Sequence, residues 1–493
     1  MVQRLKDLVL KYWPILVILI VFAGITLPRL GRDEFLDWDE CIFSQQAKEM
    51  RLSNNFITNQ WNKVLLFEKP PLTNWIITTF YSFGTNEFTA RLPALIASCL
   101  ILLFIYIFAK KYFNERVAVI SSLLLLTIPS FITYSWRINS DIFFTLFTFI
   151  GFFLWLNIKK EQQRWSYLSG LFFGLAVMSK GLSIFPYIFV LFLTIFIDYR
   201  KWKIRSFFNF LAIFLLVIVP WHVLQYLLYG REFFQVYIME HLIRRSQVPL
   251  DFHNEGRLFY TKFLLKEFNI WLIFGFLLPL SYVFKRKLVF HRSSLFKELK
   301  DKRVILTVLL IILIPFLAIN QVRTRIWWYV LPLFPFIVLY LAYNIDLFLT
   351  RRNKVIFIGF VIIISILGIY RINKEINPLV GTHGVSPRNA VFKEAQKYKE
   401  NEINYLVWFA ERQARDILPK NFQTSTTFVF GGNPCAVYYS DKHLNYIYKV
   451  EDFEKSLQSK KGLYVIENGD SRYIENMAKV ILYKNSDFTL FRI

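Results

Sequence analysis

Carboxylates crowd into FLDWDECIF (Phe35–Phe43), where Asp37, Asp39 and Glu40 lie within four residues. Asp33 and Glu34 precede them, and Glu49 follows nearby. Ile42, Phe43, Ala47 and Met50 then repeat at helical spacing, so the acids stand where a helix begins. Further on, FEKPPLTNW (67–75) sets Lys69 before Pro70 and Pro71, whose rings stiffen the backbone that carries the cation. A lysine held this way at headgroup level suits a phosphate. SWRINSD adds Arg137 and Asp141, and YIMEHLIRRS (237–246) adds Glu240, His241, Arg244 and Arg245. The 320–329 stretch adds Arg323, Arg325 and Tyr329. Cations for an anionic leaving group, with a carboxylate to take a proton, fit glycosyl transfer.

These residues must be positioned by a membrane scaffold. The 493-residue chain is 55% hydrophobic and carries 53 Phe, a composition unlike that of soluble domains. Eleven apolar runs are candidate membrane helices: 13–30, 92–109, 117–134, 141–157, 166–179, 182–197, 207–226, 268–284, 304–319, 327–346 and 354–370. The fifth and sixth, separated by Ser179–Lys180–Gly181, read as a broken or re-entrant pair. The first reads as a retained anchor because no small-residue cleavage site follows it.

The net charge of +24 sits mainly in alternate loops: Arg4 to Lys11, Lys110 to Arg116, Lys159 to Arg164, Arg200 to Arg205, Lys285 to Arg303, and Arg351 to Lys354. That alternation is a topology signal rather than a nucleic-acid footprint, and it makes the basic face cytoplasmic. The acids, loop 31–90 and the tail from 372 then face outward. The expected division is a membrane domain over 1–371 and an extracytoplasmic α/β domain over 372–493. The second part is polar and holds strand-like runs at 404–409, 426–430, 462–467 and 487–493, with a helix near 388–400. Three cysteines (41, 99 and 435) make no disulfide framework; Cys41 and Cys435 could share a compartment, but nothing pairs them from sequence.

Taken in order, the motifs resemble those of the GT-C membrane glycosyltransferases, in the branch of protein O-mannosyltransferases and lipid A aminoarabinose transferases. Asp39–Glu40 with Phe43, Ala47, Glu49 and Met50 is similar to that branch's segment after the first span, although Phe43 stands where relatives often have Tyr. Glu68–Lys69–Pro70–Pro71–Leu72 with Trp75, Arg91–Leu92–Pro93, Asp141, GLAVMSKG (174–181) and Glu240–His241 with Arg244 follow in the family's order. The resemblance covers roughly residues 30 to 340, and the tail carries no assignable motif. It implies a GT-C fold of about 11 membrane helices, in an integral inner or plasma membrane protein. It implies transfer from a polyprenyl-phosphate sugar to a lipid, protein or glycan at the outer face. It also implies catalytic parts for Asp39, Glu40 and Asp141, with Asp39 as base or acceptor-orienting acid. Lys69 and Arg244 would bind the phosphate. Lys180 is a secondary phosphate or structural candidate, and Arg137, Glu240, His241, Arg325 and Tyr329 complete the expected substrate-binding set.

Topology independently favours a lipid-linked donor. Nucleotide sugars are cytoplasmic while the acids face outward, so Asp37–Trp38–Asp39 is not read as the metal-binding D-x-D of soluble transferases. No cofactor is required by direct displacement, though Asp39 and Asp141 could share a divalent cation if they approach. The bilayer and the donor are the expected partners; nucleic acid is not. A polytopic transporter of a lipid-linked or anionic substrate is the alternative, but its charges would gather at mid-bilayer in paired halves. A membrane-anchored sensor would need no acids in the first loop.

Overall fold

The computed structural model describes residues 2–35, 38–197, 201–251, 253–285, 292–349, 354–376, 386–420, 423–424, 426, 428–459, 461–475, 477 and 479–493. Asp37, Arg200, Arg351 and Arg352 of the sequence reading lie outside these residues.

Each of the eleven expected apolar runs falls on a helix. Helix α1 (Val2–Thr26) carries the first, and α4 (Glu87–Tyr112) the second. Between them lie α2 (Trp38–Ser53) and α3 (Leu72–Phe80), which stay outside the expected spans. Six helices among the described residues are long and apolar enough to cross a membrane, and a seventh span arises if a bent pair counts as one. That pair, Glu115–Leu125 and Pro129–Trp136, turns by 76°. The difference from eleven has a simple geometric cause. Ser140–Leu156 has 17 residues, about 26 Å of helix against roughly 30 Å of hydrocarbon. Arg164–Lys180 likewise has 17 residues, Leu182–Ile197 is also short, and Phe259–Lys285 is broken at Asn269, where φ is 30°.

Helix Arg164–Lys180 illustrates how the bundle closes. Its Gly170 and Gly174 sit one turn apart against Lys201–Phe233. A Cβ on Gly170 would meet the Phe210 carbonyl oxygen at 2.3 Å, and one on Gly174 would meet Val217 at 2.7 Å. Small residues permit this close backbone approach, which supplies the packing that apolar lipid does not drive. The contact fixes the helix that ends in Lys180.

A two-stranded ribbon in the first loop, β1 (Gln60–Trp61) and β2 (Val64–Leu65), precedes a five-stranded sheet in the carboxy-terminal region, whose strands lie in the spatial order 443–447, 402–406, 463–467, 488–492, 480–484. Strands β3 (Glu402–Leu406), β4 (His443–Ile447) and β5 (Leu463–Glu467) are parallel; β6 (Val480–Lys484) and β7 (Phe488–Arg492) join antiparallel. The expected helix near 388–400 is Pro387–Ala395. Around the expected strand at 426–430, Thr426 and Phe428–Phe430 adopt turns, while residues 425 and 427 lie outside the described set. Gly431 and Gly432 follow with φ of 58° and 67°. A Cβ there would strike the Tyr446 ring at 2.1 Å or Glu411 and Trp408 at 2.7 Å, so this turn requires glycine.

This sheet does not hang free. Phe35, Cys41, Phe43 and Trp61 from the first loop share one buried core with Tyr405, Phe430, Val437 and Leu444. A disulfide joins Cys41 to Cys435, with Cα atoms 4.9 Å apart. Glu34 pairs with Lys393 at 2.6 Å, and Lys48 with Asp441 at 2.9 Å. The last apolar helix, Lys354–Ile376, continues past the expected boundary at 371.

Candidate active site

The site is built on the amino-terminal end of α2, whose first turn holds Asp39 and Glu40. Their environments diverge at once. Glu40 is fully buried and receives Arg91 Nε at 2.8 Å and Nη2 at 2.9 Å, a bidentate pair with neither side chain exposed. Arg91 also donates to the carbonyls of Leu30, Asp33 and Glu34 at 2.7–2.8 Å. Ile138 N–H donates to Glu40 Oε1 at 3.3 Å, binding the SWRINSD loop into the same knot. Glu40, expected among the catalytic residues, has both oxygens accepting from Arg91 and one also from the Ile138 N–H. It orients the turn on which Asp39 sits.

Asp39 stays partly open and lies 3.8 Å from Lys69 Nζ. The lysine is 31% exposed and stands 4.8 Å over the Phe43 ring, one helical turn beyond Asp39. Phe43, the departure from the family pattern, therefore serves as a platform for the cation. Polar contacts fix the loop that presents it. Asn59 Nδ2 donates to the Lys69 carbonyl at 2.8 Å, while Asn74 Nδ2 donates to Gln46 and Asn59 at 2.7 and 2.8 Å. Burial opposes the Lys69 charge, but Asp39, then Glu68 and Asp141, outweigh it and raise its pKa. The ammonium form is thus held, and Asp141's charge reaches the same lysine.

Asp141 opens helix Ser140–Leu156 under an Asn139 cap that accepts Ile142 N–H at 2.8 Å. It pairs directly with Lys180. Their side chains are only 3% and 9% exposed. Gly181, at φ +90°, ends the lysine's helix. A Cβ there would lie 3.1 Å from Tyr237 Oη and 3.8 Å from Pro70 Cδ, so the GLAVMSKG and KPP motifs meet at this turn. Lys180 Nζ stands 4.6 Å over the Tyr329 ring.

The EHLIRR segment arrives as an 11-residue π-helix, Phe234–Arg244. His241 Nε2 lies 3.8 Å from Glu68 Oε1 and 3.4 Å from Thr426 Oγ1. Glu240 is buried in the same segment. Arg244, the expected phosphate ligand, instead donates to the Lys420 carbonyl at 3.3 Å. Its neighbour Arg245 turns inward, donating to Asp251 at 2.8 Å and to Tyr329 Oη at 3.4 Å. Its charge acts on Lys69. The sequence places Arg245 among the cations but the motif match gives the phosphate to the adjacent Arg244; the wide i→i+5 turns of a π-helix shift which residue shares a face with His241. Arg325 is spent elsewhere, donating to the Glu255 and Asn320 carbonyls at 2.5 and 3.4 Å. Arg137 lies 5.6 Å over the Trp136 ring beside the Glu40 knot. Asp39, Lys69, Asp141, Lys180, His241 and Tyr329 are therefore brought together, with Glu68 and Arg245 added.

The fold that presents this cluster is that of the GT-C membrane glycosyltransferases. The ArnT structure from Cupriavidus metallidurans bound to undecaprenyl phosphate superposes with a TM-score of 0.71 over 97% of each chain, at 16% identity. The Archaeoglobus fulgidus oligosaccharyltransferase gives 0.57 at 12% identity, over 93% of this chain and 69% of that one. Residues 68–224 match the sequence model of the dolichyl-phosphate-mannose-protein mannosyltransferase family. An undecaprenyl phosphate-alpha-4-amino-4-deoxy-L-arabinose arabinosyl transferase 2 of Pseudomonas fluorescens is 27% identical over 221 residues, 43% of this chain and 40% of that protein. An uncharacterised Aquifex aeolicus protein is 28% identical over 333 residues, 65% and 61% respectively. The chain thus spans between two fifths and three fifths of the length of these relatives. It is an integral membrane protein with the GT-C fold. Its sequence is similar to those of the ArnT and protein mannosyltransferase relatives over the stretches just given.

Proposed function

We propose that the protein transfers a sugar from a polyprenyl-phosphate donor to an acceptor hydroxyl at the outer face of the plasma membrane. The observation that carries this reading is the meeting of Asp39 and Lys69, 3.8 Å apart, beside Asp141, Lys180 and Arg245. A base and phosphate-binding cations from separate loops share one place. The ArnT neighbour, solved with undecaprenyl phosphate, supports a prenyl phosphate as carrier.

The acceptor oxygen attacks the anomeric carbon as its proton passes to the Asp39 carboxylate. The bond from that carbon to the phosphate oxygen breaks, and its electron pair leaves with the lipid phosphate. Lys69 and Arg245 hold the departing charge, and displacement inverts the anomeric centre. Asp141 and Lys180 border the acceptor side. Both aspartates already face a lysine, so the scheme routes no step through a metal ion. The basic loops and the Cys41–Cys435 bond favour an outward site, since disulfides persist in oxidising compartments. A transporter is disfavoured because the charges gather with the juxtamembrane helix α2 rather than at mid-span.

Asp39→Asn tests the reading with purified protein, radiolabelled undecaprenyl-phosphate sugars and extracted envelope acceptors. Loss of transfer by about a hundredfold or more is expected at normal expression. Transfer at the wild-type rate would end this assignment, as would substrate movement without a covalent product.

A further inference from the structure

Trp38 is 44% exposed, an unusual state for a large aromatic residue placed immediately before a catalytic acid. Its exposure is not slack. One edge of the indole is fixed against Phe430, with ring centroids 6.0 Å apart at 79°. Phe430 is buried and meets the fully buried Trp61 at 4.8 Å and 72°; Trp61 in turn stacks on Tyr446 at 6.0 Å. A rigid aromatic series thus runs from the carboxy-terminal sheet to the residue beside Asp39, leaving indole surface open.

The same carboxy-terminal region reaches the other side of the cluster. Thr426 Oγ1 lies 3.4 Å from His241, and the Lys420 carbonyl accepts Arg244 at 3.3 Å. Thr426 and Phe430 therefore bracket the charged site between His241 and Trp38. Lipid-facing helices cannot supply this wall, and the phosphate-binding cations do not lie on it. What it offers is ring surface, since the buried Thr426 hydroxyl is already engaged by Thr424 and His241.

Building on the transfer reading, we propose that this wall is the acceptor subsite, that its ligand is a carbohydrate, and that Trp38 is the platform on which the acceptor sugar stacks. A pyranose presents an apolar C–H face to an indole and hydroxyls at its rim, matching an exposed ring that directly precedes the Asp39 carboxylate. An extended peptide would instead seek a free strand edge. At edge strand β4, beside the first loop, Leu444 is already engaged: Asn62 Nδ2 donates to its carbonyl and its N–H donates to Asn62 Oδ1, both at 2.9 Å; the other edge, β6, lies at the far side of the sheet.

The test uses full-length protein in nanodiscs with radiolabelled undecaprenyl-phosphate sugars, offered the envelope glycolipid fraction or total envelope protein in separate arms. Label is expected in the glycolipid. Trp38→Ala should raise the KM for that acceptor roughly threefold to tenfold while donor KM moves less than twofold, and Trp38→Phe should fall between. An intact Cys41–Cys435 bond, read by unreduced peptide mapping, certifies that each variant is folded. Protease-sensitive label would overturn the carbohydrate assignment, and an unchanged acceptor KM in both variants would remove Trp38 from the subsite. Failure of the wild type to consume donor would sink the transfer reading itself, and the subsite with it.

Discussion

The Glu40–Arg91 knot makes a sharp quantitative prediction because both side chains are fully buried. Arg91→Met would leave the Glu40 carboxylate without its cation and withdraw donors from the Leu30, Asp33 and Glu34 carbonyls. Breaking a buried pair from one side costs about 3–5 kcal/mol, and each stranded carbonyl about 1–3 kcal/mol where the loop does not relax. Glu40→Leu should cost a similar 3–5 kcal/mol by stranding the guanidinium. The double variant removes both charges, so its cost should fall short of the summed singles by at least roughly 1.5 kcal/mol. Thermal unfolding in detergent, followed by tryptophan fluorescence, should show each single lowered by roughly 3–10 °C and the double by less than the sum. Sugar transfer should fall in all three variants, because the turn carrying Asp39 loses its anchor. Additive shifts, or a single variant melting with the wild type, would show that the knot does not fix this turn.

Three other outcomes follow from the same geometry. Cys41→Ser or Cys435→Ser should destabilise the chain by about 2–5 kcal/mol; a reductant should lower the wild-type melting point and leave either variant unmoved. The Lys69 pKa lies above its usual 10.5, so the cation is present below that value and lost only as pH rises through the raised one. Donor KM should therefore stay flat from neutrality to about pH 10, and an apparent pKa below 9 in donor binding would contradict the pairing. Lys180→Met should be poorly folded because it strands the buried Asp141, whereas Asp141→Asn with Lys180→Met should restore folding without transfer; an active double variant would make the pair structural.

Much of the site was legible because its chemistry lies in short motifs that each fold locally. Pro70 and Pro71 after Lys69, and Gly181 after Lys180, announce rigid turns whatever surrounds them. The apolar runs likewise announce helices, although run length alone does not separate a full span from a short or bent one such as Ser140–Leu156. What escaped is pairing at long range. Glu40 and Arg91 both stood in recognised motifs, yet only the fold shows that they neutralise each other while Asp39 faces Lys69. Cys41 and Cys435 are 394 residues apart, so spacing says nothing of their bond. Arg244 and Arg245 are indistinguishable by type, and a π-helix decides which one turns inward. In the sheet, β4 and β6 mix polar with apolar residues and went unmarked. In the better-patterned 426–430 stretch, Thr426 and Phe428–Phe430 are turns ahead of a Gly-Gly pair with positive φ.

The two lysine–aspartate pairs also divide the labour between them by burial. Asp39, Lys69, Asp141 and Lys180 sum to no net charge, so a donor phosphate gains little from their combined field and must displace a carboxylate from a cation. At Asp39–Lys69 the partners are 22% and 31% exposed and 3.8 Å apart, and such a pair is worth about 0–1 kcal/mol. At Asp141–Lys180 they are almost wholly buried, and separating them strands charge at several kcal/mol. On the proposed mechanism, exchange therefore occurs at the open pair. Phosphate takes Lys69, and the same event frees Asp39 to receive the acceptor proton. The buried pair stays closed at the acceptor side while the other turns over. Base activation is then coupled to donor occupancy, and Asp39 remains neutralised whenever no lipid-linked sugar is in place.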